Sequence, residues 1–211
     1  MVVTILVTGF GPFPGAPFNP TGPLVQRLAQ MRRSGLAEVK ILAHVFPTSY
    51  AAVDRDLPKL LAKHKPDALL MFGLAPRAKT IRIETRARNA VSLLPDVGGV
   101  ALHRHASAAG GPTALAMPAP ARRLLAAVGA TRVPATLSRD AGCYLCNYLC
   151  WRPTEAAGKK GGPQVAAFIH VPKVRRGPVP RARGKNRPLA PADLARAGGA
   201  ILAAIAVSAR R

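Results

Sequence analysis

Residues 2–46 read VVTILVTGFGPFPGAPFNPTGPLVQRLAQMRRSGLAEVKILAHVF. Thr4–Val7 is apolar and rich in β-branched residues, the pattern of a buried strand. The Gly- and Pro-rich stretch Gly9–Pro23 cannot continue that strand and reads as a loop. Near Thr21 or Pro23 the period changes from two to about 3.6, which predicts a helix through LVQRLAQMRR that stops at Gly35. Val39–Phe46 is apolar again and makes a second strand. A strand, a loop, a helix and a strand in this order form the opening unit of an α/β protein, in which helices cover a sheet.

Working outward, the same alternation continues. Pro47–Thr48–Ser49 is a turn, and Ser49 or Thr48 is placed to cap a helix running to about His64. Lys65–Pro66–Asp67 is a second turn, followed by a third apolar strand at Ala68–Phe72. Gly73–Lys79 is a loop. In Thr80–Arg88, Ile81 and Ile83 alternate with polar neighbours, as in a half-exposed strand. Residues 92–118 are loop-rich, Ala119–Ala127 is a short helix and Ala135–Ser138 a short strand. Gly142–Trp151 reads as a helix carrying all three cysteines, and Gln164–Ile169 as a strand ending at His170. Pro191–Ser208 is a long Ala-rich helix. The segment at about 173–190 differs from the rest: Arg175, Arg176, Arg181, Arg183, Lys185 and Arg187 stand among Pro and Gly with no apolar period, which predicts an exposed, mobile basic loop. With no internal repeat and no composition break, residues 1–211 are read as one α/β domain with helices on both faces of its sheet.

Nearly half of the 211 residues are apolar, which excludes general disorder. No uninterrupted apolar run reaches the ~18 residues of a membrane span, and the first residues lack the basic lead and cleavage site of a secretory signal. The expected location is therefore the cytoplasm. The net charge of +22 raises nucleic acid or an anionic surface as a partner. The arginines are scattered through many segments, however, and the few aromatic residues offer no stacking platform, so nucleic acid is not expected as a specific partner.

Candidate chemistry is limited by what the chain contains. GFGPFPG is neither of the common phosphate-binding glycine patterns, and Pro12 and Pro14 remove backbone donors. Cys143, Cys146 and Cys150 lack the matching second ligand pair that zinc requires, so no metal and no cofactor is expected. A structural disulfide is not expected in a cytosolic chain either. The acids are few, with only three Glu, at 38, 84 and 155. Cys146 follows the small residues Ala141 and Gly142, which let a substrate approach the backbone, and it precedes a helical pattern whose positive end favours a thiolate. His170 lies at the end of an apolar strand against a loop, a common position for a catalytic group in α/β folds. The residues alone leave a second reading open, in which Cys146 is a small buried hydrophobe and His170 a satisfied strand-end residue. Glu84 in turn could be a solvated strand carboxylate beside an Arg.

Blocks spread over most of the chain carry a resemblance. They are ILVTGFGPFPGAPFNPT (5–21), FPTSY (46–50), PDALLMFGLA (66–75), IRIETRARN (81–89), LPDVGG (94–99), SRDAGCYLCN (138–147) and FIHVP (168–172). Together and in this order they resemble the pyroglutamyl peptidase I family, also called pyrrolidone-carboxylate peptidases, a group of cysteine peptidases. The resemblance implies a three-layer α/β/α sandwich with a mixed central sheet and no cofactor. It implies Cys146 as nucleophile, His170 as general base and Glu84 as the acid that orients the imidazole. By the same match, Phe10 and Phe13 of the opening loop hold a pyrrolidone ring, with Asn19 as a nearby polar contact. A small, flat, uncharged lactam suits such an apolar slot, whereas an ordinary N-terminal ammonium would be desolvated there without a counter-charge. The implied substrates are peptides with N-terminal pyroglutamate, cleaved through an acyl-thioester, and the implied assembly is a homo-oligomer.

Three departures from the family pattern stand out. The Arg that often precedes the Pro-Asp pair is absent, since Ser92–Leu93–Leu94 stand there. An oxyanion would then rely on the Cys146 amide or on Arg86 or Arg88. The Gly-Gly-Arg often seen after the third strand is here Ala75–Pro76–Arg77, and the 173–187 segment is more basic than usual. Two rival readings stand beside this one: a related cysteine amidohydrolase with altered substrate choice, motivated by the missing Arg, and an inactive basic interaction protein on the same fold, motivated by the net charge of +22.

Overall fold

The structure, a computed structural model, describes residues 2–32, 34–175 and 188–210. Six strands form the central sheet: β1 (Val3–Phe10), β2 (Val39–Phe46), β3 (Ala68–Leu74), β4 (Ile81–Glu84), β7 (Ala135–Ser138) and β8 (Val165–Val171). Their spatial order is β2-β1-β3-β8-β4-β7. β1, β2, β3 and β8 are parallel, β4 runs antiparallel to β8, and β7 is parallel to β4, so the sheet is mixed. A separate two-stranded ladder pairs β5 (Arg86–Arg88) with β6 (Ala114–Ala116). The helices are α1 (Thr21–Ala29), α2 (Tyr50–His64), α3 (Ala121–Ala130), α4 (Leu145–Ala157) and α5 (Pro191–Ala209).

Side-chain alternation along the strands divides the interior into two cores. Ile5, Val7, Leu70, Phe72, Ile81, Ile83, Ala167 and Ile169 point to one face, which is covered by α1, α3 and α5. Leu6, Leu69, Met71, Ala166 and Phe168 point to the other, which is covered by α2 and α4. The central strands β3 and β8 are buried along their whole length on both faces, as strands flanked on both sides and covered by helices must be. Each fully buried Leu or Ile there contributes about 1.5–3 kcal/mol. α5 is long and apolar enough to cross a membrane, yet 61% of its apolar window is buried inside the protein. It is a core helix, and Gly198 lets it lie against the Leu28 side chain of α1.

The architecture is the expected α/β/α sandwich, with several local differences. Thr80–Arg88 is not one strand. It breaks at Thr85, whose hydroxyl donates to the Ser138 carbonyl at 2.8 Å, and the chain leaves the central sheet to pair with β6. Nor is the first part half-exposed, because β4 lies between β8 and β7, and Ile81 and Ile83 are buried on the face covered by α3. His170 does not terminate its strand. β8 continues to Val171, since Gly73 on one side and Arg82 on the other pair with His170. The cysteine-bearing helix starts at Leu145, after Gly142 at φ +81° and an extended Tyr144, so Cys143 precedes it. The helix then runs beyond Trp151 to Ala157. α1 ends at Ala29, short of Gly35, and a 3-10 turn at Ser34–Leu36 follows.

Ser49 precedes α2 in an extended conformation, but its side chain does not cap the helix. A carboxylate from another segment does so: Asp96 accepts from the Tyr50 N–H at 3.0 Å, and its other oxygen accepts from Gly98 and Val100. The expected basic loop at about 173–190 falls mainly on residues 176–187, outside the described residues. Its described flanks meet where the Arg175 N–H donates to the Leu189 carbonyl at 2.9 Å.

Candidate active site

Three strands and one helix start bring the site together. Gly73, His170, Arg82 and Glu84 have the strand parity of Met71 and Phe168, so all four face the α4 side. Glu84 pairs with Phe168 and Arg82 with His170 in the antiparallel register, which puts Glu84 diagonal to His170 on one face. The result is a hydrogen bond of 2.8 Å between His170 Nδ1 and Glu84 Oε1. Glu84 is fully buried and His170 nearly so. A carboxylate at that depth requires a partner, and the imidazole supplies it.

Cys146 is the second residue of α4 and sits half-buried on the other side of the imidazole, within hydrogen-bonding reach of His170. Burial alone pulls the His170 imidazole down. The Cys146 sulfur and the Glu84 carboxylate flanking it outweigh that effect and hold it up to about 9. The sulfur reaches this position because Gly73 has no side chain: a Cβ there would lie 2.8 Å from Cys146 Sγ and 2.7 Å from the Phe168 ring. Among the described residues no side chain caps the first N–H groups of α4, and its first turn holds no acid. The backbone N–H of Cys146 and the positive end of the helix are therefore available to an anion beside the sulfur. Gly142, in the left-handed region, turns the chain into this helix, and the Asp140 carboxylate fixes the turn by accepting the Gly142 N–H at 3.0 Å.

A cavity of about 440 Å³ opens over the pair. Phe10, Phe13, Asn19 and Thr48 line one end, Leu74–Pro76 and Tyr144 contribute to its walls, and Arg82 and Asp140 also line it. Phe10 closes β1 and packs on Phe46, with ring centroids 6.2 Å apart. Asn19 borders the cavity, but its amide is engaged in holding the loop. Its oxygen accepts from the Thr21 N–H and hydroxyl, and its nitrogen donates to the Gly11 carbonyl at 3.0 Å. Phe10, Phe13, Asn19, Cys146 and His170 thus line one cavity, and Glu84 stands behind His170, bonded to its ring. Arg86 and Arg88 do not line it: Arg86 donates to the Arg139 carbonyl and Arg88 pairs with Asp140.

Other contributors went unmarked in the sequence. Asn147 is fully buried; its oxygen accepts from the Arg88 N–H, and its nitrogen donates to the Arg88 and Ala90 carbonyls, clamping α4 to the β5 segment. Its position one residue after Cys146 was the available signal. Tyr144 donates to the Pro95 carbonyl at 2.8 Å, tying the Pro-Asp segment to the helix start. Of the other cysteines, Cys143 is exposed and Cys150 is buried, where desolvation first and then the charges of Cys146 and Glu84 push its thiol well up. All three are free thiols.

A thiol, an imidazole and a carboxylate in series, with a helix start at the sulfur and a cavity above it, define a cysteine hydrolase site. The sequence matches the family described as Pyroglutamyl peptidase over residues 3–209. Two similar proteins are the pyrrolidone-carboxylate peptidases of Pyrococcus furiosus, 32% identical over 83% of this chain and 88% of that protein, and of Halalkalibacterium halodurans, 34% identical over 80% and 83%. In solved structures, a mutant pyrrolidone carboxyl peptidase from P. furiosus superposes with a TM-score of 0.85 at 28% identity, covering 98% of this chain and 99% of that one. The Thermococcus litoralis pyrrolidone carboxyl peptidase superposes with a TM-score of 0.86 at 27% identity, covering 99% and 96%. The chain belongs to the pyroglutamyl peptidase family of cysteine peptidases.

Proposed function

We propose that this protein removes an N-terminal pyroglutamyl residue from peptides, with Cys146 as nucleophile, His170 as general base and acid, and Glu84 as the group that orients His170. The observation that carries the proposal is the buried Glu84–His170 hydrogen bond of 2.8 Å with Cys146 at the other side of the ring, beneath an apolar cavity.

In this reading the pyrrolidone ring enters the end of the cavity formed by Phe10 and Phe13, and its exocyclic carbonyl lies over Cys146. The Cys146 sulfur, charged beside the imidazolium, attacks that carbonyl carbon. The resulting oxyanion is held by the Cys146 N–H at the start of α4, which answers the absence of Arg86 and Arg88 from the cavity. As the C–N bond breaks, His170 gives its proton to the leaving amine and a pyroglutamyl thioester remains. Water, giving a proton to His170, then attacks the thioester and releases pyroglutamate. Glu84 fixes the tautomer and stabilises the imidazolium at each stage. The free thiols are in keeping with action in a reducing compartment, the cytoplasm. The intact constellation gives no support to an inactive interaction protein.

The test is release of a fluorophore from pyroglutamyl-amidomethylcoumarin. Wild type should turn it over and ignore the free-amine glutaminyl analogue. Cys146→Ala should fall to background while its circular dichroism spectrum stays unchanged. Turnover that survives Cys146→Ala would overturn the assignment.

A further inference from the structure

Among the described residues that line the cavity is one cation that the proposed reaction does not use. Arg82 stands directly opposite His170 in the β4–β8 register, on the same face, and lines the cavity together with Cys146 and His170. It is half-buried. Among the described residues its guanidinium makes no hydrogen bond and no ion pair. Asp140, the one acid among the described residues that line the cavity, is already engaged: its Oδ1 accepts from the Gly142 N–H at 3.0 Å and from Arg88 at 3.2 Å. Arg82 reaches that acid only through space, as the weakest of the influences holding its carboxyl below the usual range. The cavity therefore presents, next to the reacting pair, a guanidinium that no described residue hydrogen-bonds or pairs with. A half-desolvated guanidinium with free donors is a ready carboxylate ligand.

The order of strands says which part of a substrate it would meet. Phe10 closes β1, and Thr48 follows β2, on one side of the Cys146–His170 pair. Arg82 lies on β4, on the opposite side of β8. A pyrrolidone ring seated at the Phe10 end places its carbonyl over Cys146 and directs the leaving residue toward β4. We infer that Arg82 is a specificity residue that binds a carboxylate carried by the residue after pyroglutamate. The favoured substrates are then pyroglutamyl dipeptides, with their free C-terminal carboxylate, and longer peptides with Asp or Glu in second place. This inference rests on the peptidase reading above.

Three substrates separate the possibilities: pyroglutamyl-glutamine amide, which is neutral, its free acid, and pyroglutamyl-glutamate amide. Wild type should show kcat/KM about fivefold or more higher for an acid-bearing substrate than for the neutral one, chiefly through KM, as expected for a charge pair at a half-buried site. Preference for the free acid would identify the C-terminal carboxylate as the ligand, and preference for the glutamate amide the side chain. Arg82→Gln should bring the ratio to near one, and Arg82→Lys should retain part of it. Should Arg82→Gln fail to fold, the wild-type ratio should still shrink as salt is raised. A wild-type ratio near one, a ratio that survives Arg82→Gln, or a ratio indifferent to salt would overturn the assignment of Arg82 alone. Failure of wild type to cleave any of the three would overturn the peptidase reading and this inference with it.

Discussion

At the residue scale the site is governed by His170, a buried imidazole between a sulfur and a carboxylate. Its protonated form is favoured, with the imidazole held up to about 9 despite burial. The sign follows: a group raised on folding stabilises the protein fully below its unfolded value of about 6.5, and that stability is lost as pH rises through about 9. The cationic imidazole also supplies the proton for the leaving amine. We therefore expect kcat/KM for pyroglutamyl-amidomethylcoumarin to decline on the alkaline side near pH 9, as the coupled pair loses its proton. Glu84→Gln removes a charge that raises His170, so the alkaline limb should move to lower pH. The same variant should lower kcat by roughly 10²- to 10⁴-fold, the range expected when a base loses its orienting acid. A pH–rate profile of both proteins checks this, and an unmoved limb would remove Glu84 from its positioning role.

At the element scale the loop bearing Pro95–Asp96 holds up one wall of the cavity. Asp96 caps α2 through the Tyr50 N–H and fixes its own turn through Gly98 and Val100. Burial pushes its carboxyl up, but the bonds from Ser49, Val100, Tyr50 and Gly98 outweigh this and leave it below the ordinary carboxylate range. A depressed carboxyl contributes stability above its unfolded value of about 3.9, which is lost as pH falls through the lower folded value. Asp96→Ala should destabilise the protein by about 1–2 kcal/mol, the worth of a helix cap with its neighbouring bonds, and thermal unfolding at neutral pH measures it. The deficit should narrow in acid. The sequence marked this segment as a block without revealing what it does, because an Asp that caps a helix 46 residues away leaves no local spacing to read. The helix start at Leu145 was hidden for a related reason. The cysteine block has helical residues throughout, and only the left-handed turn at Gly142 and the extended Tyr144 delay the first turn.

At the scale of the whole molecule, the net charge of +22 is the largest single departure from an ordinary enzyme surface. Attraction to nucleic acid from such a charge is sequence-independent and works by releasing counterions. Double-stranded DNA should therefore bind at 50 mM salt and lose most of its affinity, about 10³-fold or more, by 200 mM. A fluorescence-anisotropy titration at the two salt concentrations measures it, and binding that persists would point to a specific interface instead. α5 illustrates the same scale differently. By composition it passes for a membrane span, and only its packing against the sheet face shared with α1 and α3 shows it to be a core helix.

The amino-acid sequence determined the succession of strands and helices, because apolar periodicity is a local property and each element must bury one face. Val39–Phe46 and Ala135–Ser138 emerge with the boundaries that their composition predicts. The order of the family-like blocks likewise marked Cys146, His170 and Glu84 as the residues to watch. What only the tertiary structure decided is how those residues meet. Glu84 and His170 are 86 positions apart, and they touch because β4 enters the sheet antiparallel to β8 in a register that sets them diagonally on one face. The same pairing carries Arg82 into the cavity and leaves it without a partner among the described residues. Strand order and register are set by burial of both sheet faces at once, a balance over the whole chain that no short segment encodes.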